Sequence, residues 1–359
     1  MKRGRGKAPE PVALQDYEDA ARRKLPTATF DFLAGGAADE ITIRWNREAY
    51  DRLRLRPRAL VDVSTIDTRV TLFGLDLPHP LLLAPLAYQK LFHRDGEIAA
   101  ARGAAASGAL FVVSSSATLS VEEIARATTA PLWFQLYVQS DMGANRDLVA
   151  RAVAAGCKAL CVTVDTPVVG PRNREQRSGF TLPAKLTLPM NPQTLKARRT
   201  TLSSSSVASS KRVSVTWKHI EEFLKTSPVP VLLKGILHPD DAEQAVSLGV
   251  HGIIVSNHGG RNLDTAPATI DALRDVAARV SRRIPVLVDG GIRRGTDVLK
   301  ALALGASAVL IGRPYAYGLA VGGQQGVARV VEILRGELEL AMALAGRPSI
   351  SVMDPSLLA

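Results

Sequence analysis

Residues 252–264 read GIIVSNHGGRNLD. Four apolar residues run without interruption, and then the chain turns abruptly polar, with a histidine and an arginine three apart among glycines. An unbroken apolar run is the pattern of a parallel strand buried on both faces, since a half-exposed strand alternates. Seven further runs share the pattern: PLLLAPLA (80–87), ALFVVSSS (109–116), LWFQLYV (132–138), ALCVTVD (159–165), PVLLKG (230–235), PVLVDGG (285–291) and AVLIGRP (308–314). Between them lie amphipathic stretches such as NRDLVARAVAAGC and HPDDAEQAVSLG, several ending in the glycine that commonly stops a helix. Eight strand–helix units predict an α/β fold, a (β/α)8 TIM barrel, with residues 1–359 forming a single domain.

Two parts fall outside the repeat. Residues 1–78 form an N-terminal extension of helical and short-strand character, expected to cover the bottom of the barrel and send a segment to its mouth. Residues 79–340 make the barrel, and residues 183–217 interrupt it between strands 4 and 5. That insertion is rich in Ser, Lys and Arg, and its length predicts a lid or a disordered loop.

Composition bounds the function. Hydrophobic residues make up 46% and charged residues 22%, which suits a chain that buries a large core. The net charge of +11 invites a search for nucleic-acid modules, but the basic residues are dispersed and the one dense cluster is the tail MKRGRGK, so no nucleic acid is expected as partner. Cys157 and Cys161 read as small core residues, without the His/Cys partners of a metal site, so no metal is expected. No apolar run approaches 18 residues and the N-terminus carries no apolar leader, so the expectation is a soluble, cytoplasmic protein that does not enter a membrane.

A barrel gathers its chemistry at the C-terminal ends of its strands. Those ends offer Ser114, Gln135, Tyr137, Thr163, Asp165, Lys234, His258 and Arg261, with Arg172 shortly after strand 4. DGGIRRG (289–295) and IGRP (311–314) end strands 7 and 8, the usual phosphate site of such barrels, and supply glycine N–H groups with Arg293 and Arg313. A phosphate-bearing ligand follows. His258 with Asp165 makes a base and its orienter. Arg172 and Arg261 offer bidentate forks for a carboxylate. Lys234 taken alone reads as a strand-end lysine reaching solvent; beside a planar cofactor it would stabilise developing negative charge.

Together SNHGGRNLD, DGGIRRGTDVLKALALGA, IGRP, FQLYV, TVDTP and LLKG resemble the FMN-dependent α-hydroxy acid oxidase and dehydrogenase family, and the likeness runs from KLPTATFDFLAGGAADE (24–40) to the helix after IGRP. The resemblance implies FMN at the barrel mouth. Pro85, Leu86 and Ala87 would lie beside the flavin, Ala87 next to N5. Ser114, Gln135, Thr163 and Ser256 would meet its edge, and Lys234 its N1 and C2 carbonyl. Asp289, Gly290, Gly291, Arg293, Gly312 and Arg313 would hold the ribityl chain and phosphate. His258 would be the catalytic base with Asp165 as partner, while Arg172, Arg261 and Tyr137 would meet the substrate.

Two departures and one likeness bear on the substrate. Phe32 stands where the family usually has Tyr, which removes a phenol from the carboxylate site. Ser116 replaces the bulky Trp of short-chain enzymes and widens the pocket. DFLAGG and APLAYQKLFH look most similar to the hydroxymandelate oxidase branch. Asn262 replaces the usual Gln, with little effect expected. A bulky or aryl (S)-2-hydroxy acid is therefore expected over lactate or glycolate. Ala87 leans towards O2 as acceptor, with a soluble dehydrogenase using another acceptor as the alternative, and the family's habit of forming tetramers or octamers implies a homo-oligomer.

Overall fold

A computed structural model describes residues 10–191 and 215–359. Most of the expected insertion therefore lies outside the described residues, as does the basic tail.

The eight apolar runs all form strands. Leu81–Leu83, Leu110–Ser114, Leu132–Tyr137, Leu160–Thr163, Val231–Ile236, Gly252–Val255, Val286–Asp289 and Ala308–Ile311 pair in sequence order and close into a parallel barrel, the last bonded to the first. The connecting helices start and stop on local signals. Ser120 and Glu123 form a capping box for Val121–Arg126, and Asp141 accepts the first free N–H groups of Met142–Ala154. Gly108 and Gly249 end two helices at positive φ (76° and 87°), where a side chain would strain the backbone.

Alternate residues of each strand point into the barrel. The lower interior is apolar: Leu82, Leu110, Val112, Trp133, Ala159, Cys161, Leu232, Ile254, Leu287, Ala308 and Leu310 make one cluster. Its floor is a hairpin of the N-terminal extension, Val70–Leu72 with Leu75–Leu77, which adds Leu72 and Leu77 and sets Phe73 against Trp133 at 5.6 Å between ring centroids. Trp133 is fully buried, so truncating it to Ala would cost on the order of 3–5 kcal/mol. Both cysteines are buried and free, and burial pushes each thiol up to about 12, as suits inert core residues.

The extension also reaches the mouth, as its sequence suggested. After helix Thr27–Ala34, Ala37 N–H bonds the Gly260 carbonyl at 2.8 Å and Ala38 N–H bonds that of Pro171 at 2.9 Å. Helix Ile41–Arg52 then lies across the ends of strands 6 and 7. Asp264 accepts from Thr42 N–H at 2.8 Å and Asp39 N–H at 3.1 Å at the start of this helix, where the helix dipole favours a carboxylate. Asn46 and Asn257 exchange two buried amide hydrogen bonds, at 3.0 and 2.8 Å. Among the described residues no helix is long and apolar enough to cross a membrane.

Candidate active site

The inward alternation that builds the apolar interior continues upward and changes character by one step. Above Val112 comes Ser114, above Trp133 comes Gln135, above Cys161 comes Thr163, above Leu232 comes Lys234 and above Leu287 comes Asp289. Most of these buried polar groups pair with one another. Ser114 Oγ donates to Gln135 Oε1 (3.0 Å), and Gln135 Nε2 donates to Thr163 Oγ1 (2.8 Å). Lys234 Nζ lies 2.7 Å from both Ser256 Oγ and Asp289 Oδ2. Burial alone would push the Lys234 ammonium down, but the Asp289 and Asp165 carboxylates outweigh it and hold the group above its ordinary value. The lysine is thus a buried cation and does not reach solvent.

One layer higher sits His258. The chain leaves its strand in the left-handed conformation at three consecutive residues, His258 (φ 57°), Gly259 (64°) and Gly260 (72°), so the strand end curls over the mouth. Histidine is a strained choice there, the kind of outlier that accompanies functional sites. His258 Nδ1 is 3.0 Å from Asp165 Oδ1, and Nε2 is 3.2 Å from the Tyr137 hydroxyl. Burial would raise the Asp165 carboxyl, yet the His258 and Lys234 charges and the histidine hydrogen bond pull it below the usual range. Asp165 is pressed against strand 5. A Cβ on Gly235 would fall 2.5 Å from Asp165 Cβ, and Gly235 itself has φ 115°. The histidine is thereby oriented by a carboxylate at one nitrogen and presents the other to the cavity, the arrangement of a general base.

Two arginines stand beside it. Arg172 is the N-cap of the short helix Asn173–Arg177. Arg261 reaches back to the extension, donating to the Phe32 carbonyl (2.8 Å), the Gly35 carbonyl (2.7 Å) and Glu175 Oε1 (3.0 Å), with its guanidinium 5.2 Å above the Phe32 ring. Glu175, on the same short helix, is buried, so one turn of chain places Arg172 and fixes Arg261. A third arginine, Arg313, donates to the carbonyls of Leu33, Gly259 and Gly35 and forms no ion pair among the described residues. Burial first, then the neighbouring Arg261 and Arg293, lower it to about 10.

These groups surround one cavity of about 350 Å³, within the range of small-molecule sites. Of the residues singled out in the sequence, Phe32, Pro85, Leu86, Ala87, Ser116, Tyr137, Thr163, Arg172, Lys234, His258, Arg261, Asp289, Gly290, Gly291, Arg293, Gly312 and Arg313 line it. Ser114, Gln135 and Ser256 do not line it and act on it through Thr163 and Lys234. Asp165 stands behind His258.

Tyr88, which the sequence places at the end of the first strand, lines the cavity and packs with Phe32, whose ring stacks on Phe180 at 4.5 Å. Other residues of the site were not singled out in the sequence. Phe92 also lines the cavity and packs with Phe32, and APLAYQKLFH carried that signal in its second aromatic. Glu175 gave none, being 86 residues from the arginine it holds. Asn262, expected to matter little, lines the cavity and donates to the Asp165 carbonyl at 2.8 Å.

A parallel barrel whose mouth pairs a carboxylate-oriented histidine with arginines, over a buried lysine and a glycine-rich phosphate cradle, is the class of flavin-dependent 2-hydroxy acid enzymes. Comparison with known proteins identifies the family: residues 21–359 match the model of the FMN-dependent dehydrogenases, and the chain belongs to that family. It is 46% identical over 365 residues to the L-lactate oxidase of a Nostoc species, covering 97% of this chain and 98% of that one. It is likewise 46% identical over 342 residues to glycolate oxidase 3 of Arabidopsis thaliana, covering 94% and 93%. Among solved structures, a crystal structure of mandelate oxidase superposes with a TM-score of 0.90 at 43% identity, covering 98% of both chains.

The residues present fit FMN. Asp289 Oδ1 is buried without a hydrogen-bond partner among the described residues, an acceptor suited to a ribityl hydroxyl. Gly290 and Gly291 have φ of 94° and 79° and leave backbone open to the cavity. Arg293 and Arg313 border the same end with no ion-pair partner among the described residues, as a phosphate site requires.

Proposed function

We propose that the protein oxidises an (S)-2-hydroxy acid with a bulky or aryl side chain to the 2-oxo acid and passes the electrons to O2, giving hydrogen peroxide. The observation that carries the substrate reading is the cavity wall. A small Ser116 shares it with the rings of Phe32, Tyr88 and Phe92, so the space is wide and its lining favours an apolar ring. Ala87 at the turn of the first strand supports O2 as acceptor.

Arg261 and Arg172 bind the substrate carboxylate. Arg261 meets it already oriented by Glu175 and two carbonyls, so little rotamer freedom is lost on binding. Phe32 adds no hydroxyl there, which forgoes a hydrogen bond worth about 1 kcal/mol. His258 takes a proton at Nε2, and Asp165 holds the proton on Nδ1 and stabilises the imidazolium. Lys234, kept charged by Asp289 and Asp165, would offer a fixed positive charge to the bound cofactor. FMN bound in this cavity would supply the acceptor for the electron pair that leaves C2, with O2 as the final acceptor.

The test is the absorbance of the purified holoenzyme mixed anaerobically with (S)-mandelate, lactate and glycolate in turn, then exposed to air. Rapid bleaching by mandelate with recolouring in air is expected. Bleaching by lactate or glycolate alone would support the second reading, a short-chain oxidase, which the 46% identity to lactate and glycolate oxidases favours. Bleaching without recolouring would refute O2 as acceptor.

A further inference from the structure

The turn after the first barrel strand, Ala84–Ala87, forms one wall of the cavity. Behind it lies a fully buried polar chain that the catalytic reading does not use. The Tyr315 hydroxyl donates to the Ala84 carbonyl at 2.8 Å and accepts from Gln89 Nε2 at 3.1 Å. The same Nε2 lies 3.4 Å from the Leu86 carbonyl. Because Nε2 faces one carbonyl and one hydroxyl that is already donating, the amide has only one workable orientation. Gln89 N–H is held in turn by Glu97 Oε1 at 3.2 Å, and Glu97 also accepts from Thr118 N–H (2.8 Å) and Thr118 Oγ1 (2.5 Å). Gln89, Glu97 and Tyr315 are all 0% exposed.

Such a chain is costly to bury, and it is satisfied at every atom but Gln89 Oε1, which is buried without a hydrogen-bond partner among the described residues; the bonds made by Gln89 Nε2, Tyr315 and Glu97 are the ones that hold its contacts. Two of those contacts are carbonyls of the cavity turn. The peptide from Leu86 to Ala87 is trans, so its N–H points opposite to its C=O. With the Leu86 carbonyl drawn back to Gln89, the Ala87 N–H is turned to the cavity. It has no hydrogen-bond partner among the described residues. We propose that Gln89 and Tyr315 are positioning residues, anchored by Glu97, that fix this turn and present the Ala87 N–H as a donor to the edge of the bound cofactor ring. A donor held there stabilises the ring form with a bare acceptor nitrogen, the oxidised one. The proposal rests on FMN occupying the cavity and is independent of which hydroxy acid is the substrate.

The experiment compares the holoenzyme with Tyr315→Phe, which keeps the ring and removes the hydroxyl, and Gln89→Met, which keeps length and removes the donor. Three quantities are measured: the FMN dissociation constant by flavin fluorescence, the two-electron midpoint potential of the bound flavin, and Tm. The expected result is an FMN dissociation constant raised about tenfold, the worth of one hydrogen bond. The potential should rise by about 30 mV, a tenfold change in the preference for the oxidised ring. If the potential and the FMN affinity both stay at the wild-type values, the proposal is overturned, whether Tm falls or not, because a merely structural role lowers Tm alone. If neither variant folds, Thr118→Val loosens Glu97 by one bond, and a smaller shift of the potential in the same direction is then required.

Discussion

Replacing Asp165 by Asn tests the central pair with the least disturbance. The site tolerates nothing larger, because the Gly235 backbone is packed against the Asp165 side chain. Asn keeps the shape and removes two things. The first is charge. With Asp165 Oδ1 3.0 Å from His258 Nδ1, the charge centres of carboxylate and imidazolium lie about 4 Å apart, an attraction of about 4 kcal/mol at an effective dielectric of 20. The second is the tautomer. An amide that turns its NH2 to Nδ1 forces the ring proton onto Nε2, the nitrogen that must accept. Losing most of that attraction in the transition state predicts a fall in kcat of about 10²–10⁴-fold. KM should change little, since Arg172 and Arg261 are untouched, and FMN content should stay full. The assay is anaerobic stopped-flow bleaching of the flavin, with steady-state peroxide release beside it. A rate of bleaching within about threefold of wild type would refute the role of Asp165 and weaken that of His258 as base.

Three further outcomes are expected. His79 is fully buried, and burial depresses its pKa although its hydrogen bond to the Ser107 carbonyl (2.8 Å) partly opposes this; the unfolded chain therefore binds the extra proton first, and urea unfolding should show stability falling as pH drops below about 6.5, a slope that His79→Asn reduces. Gly291→Ala puts a Cβ 2.0 Å from the Asn46 carbonyl oxygen at φ 79°, whereas Gly336, within the last helix, has nothing within 4 Å; thermal melts should show the first losing at least ~2 kcal/mol together with FMN, and Gly336→Ala gaining up to ~1 kcal/mol. Ser116→Trp fills the widened wall, so kcat/KM for (S)-mandelate should drop on the order of 100-fold while lactate is affected far less; equal losses on both would remove Ser116 from the specificity argument.

The barrel was legible because it obeys short-range rules. Each strand is an unbroken apolar run, and each run ends in residues that no buried strand would carry without a reason, so the fold and the strand-end positions of Thr163, Asp289 and His258 could be read from spacing, whereas Lys234 taken alone reads as reaching solvent and the place of each residue around a cofactor came from the family resemblance. What could not be read depends on distant contacts. Phe32 was singled out as a missing phenol, yet its ring is part of a stack with Phe180 and a seat for Arg261. Glu175 lies in a helix of five residues whose sequence, NREQR, reads as surface, and burial makes it the partner of Arg261. The bond from Asn262 to the Asp165 carbonyl needs both strand ends in place before it exists.

The boundary between core and site is one residue wide, and that has a consequence for how the site is held. Leu232 and Lys234 are inward neighbours on the same strand, as are Leu287 and Asp289. A buried ion pair such as Lys234–Asp289 adds little to stability, because taking both charges from water offsets their attraction. Its position is therefore better explained by what it keeps ready, a charged lysine and an acceptor oxygen at the cavity floor. The stability comes instead from the apolar layers beneath, closed below by Phe73 and Trp133, and from the extension that crosses the mouth. Because that extension contributes the Phe32 and Gly35 carbonyls that orient Arg261, and the Leu33 and Gly35 carbonyls that hold Arg313, the proposed substrate and phosphate ends of the cavity share one support. Loosening the segment 32–36 must then weaken binding of both ligands at once, whereas a change at Glu175 acts only on the substrate end.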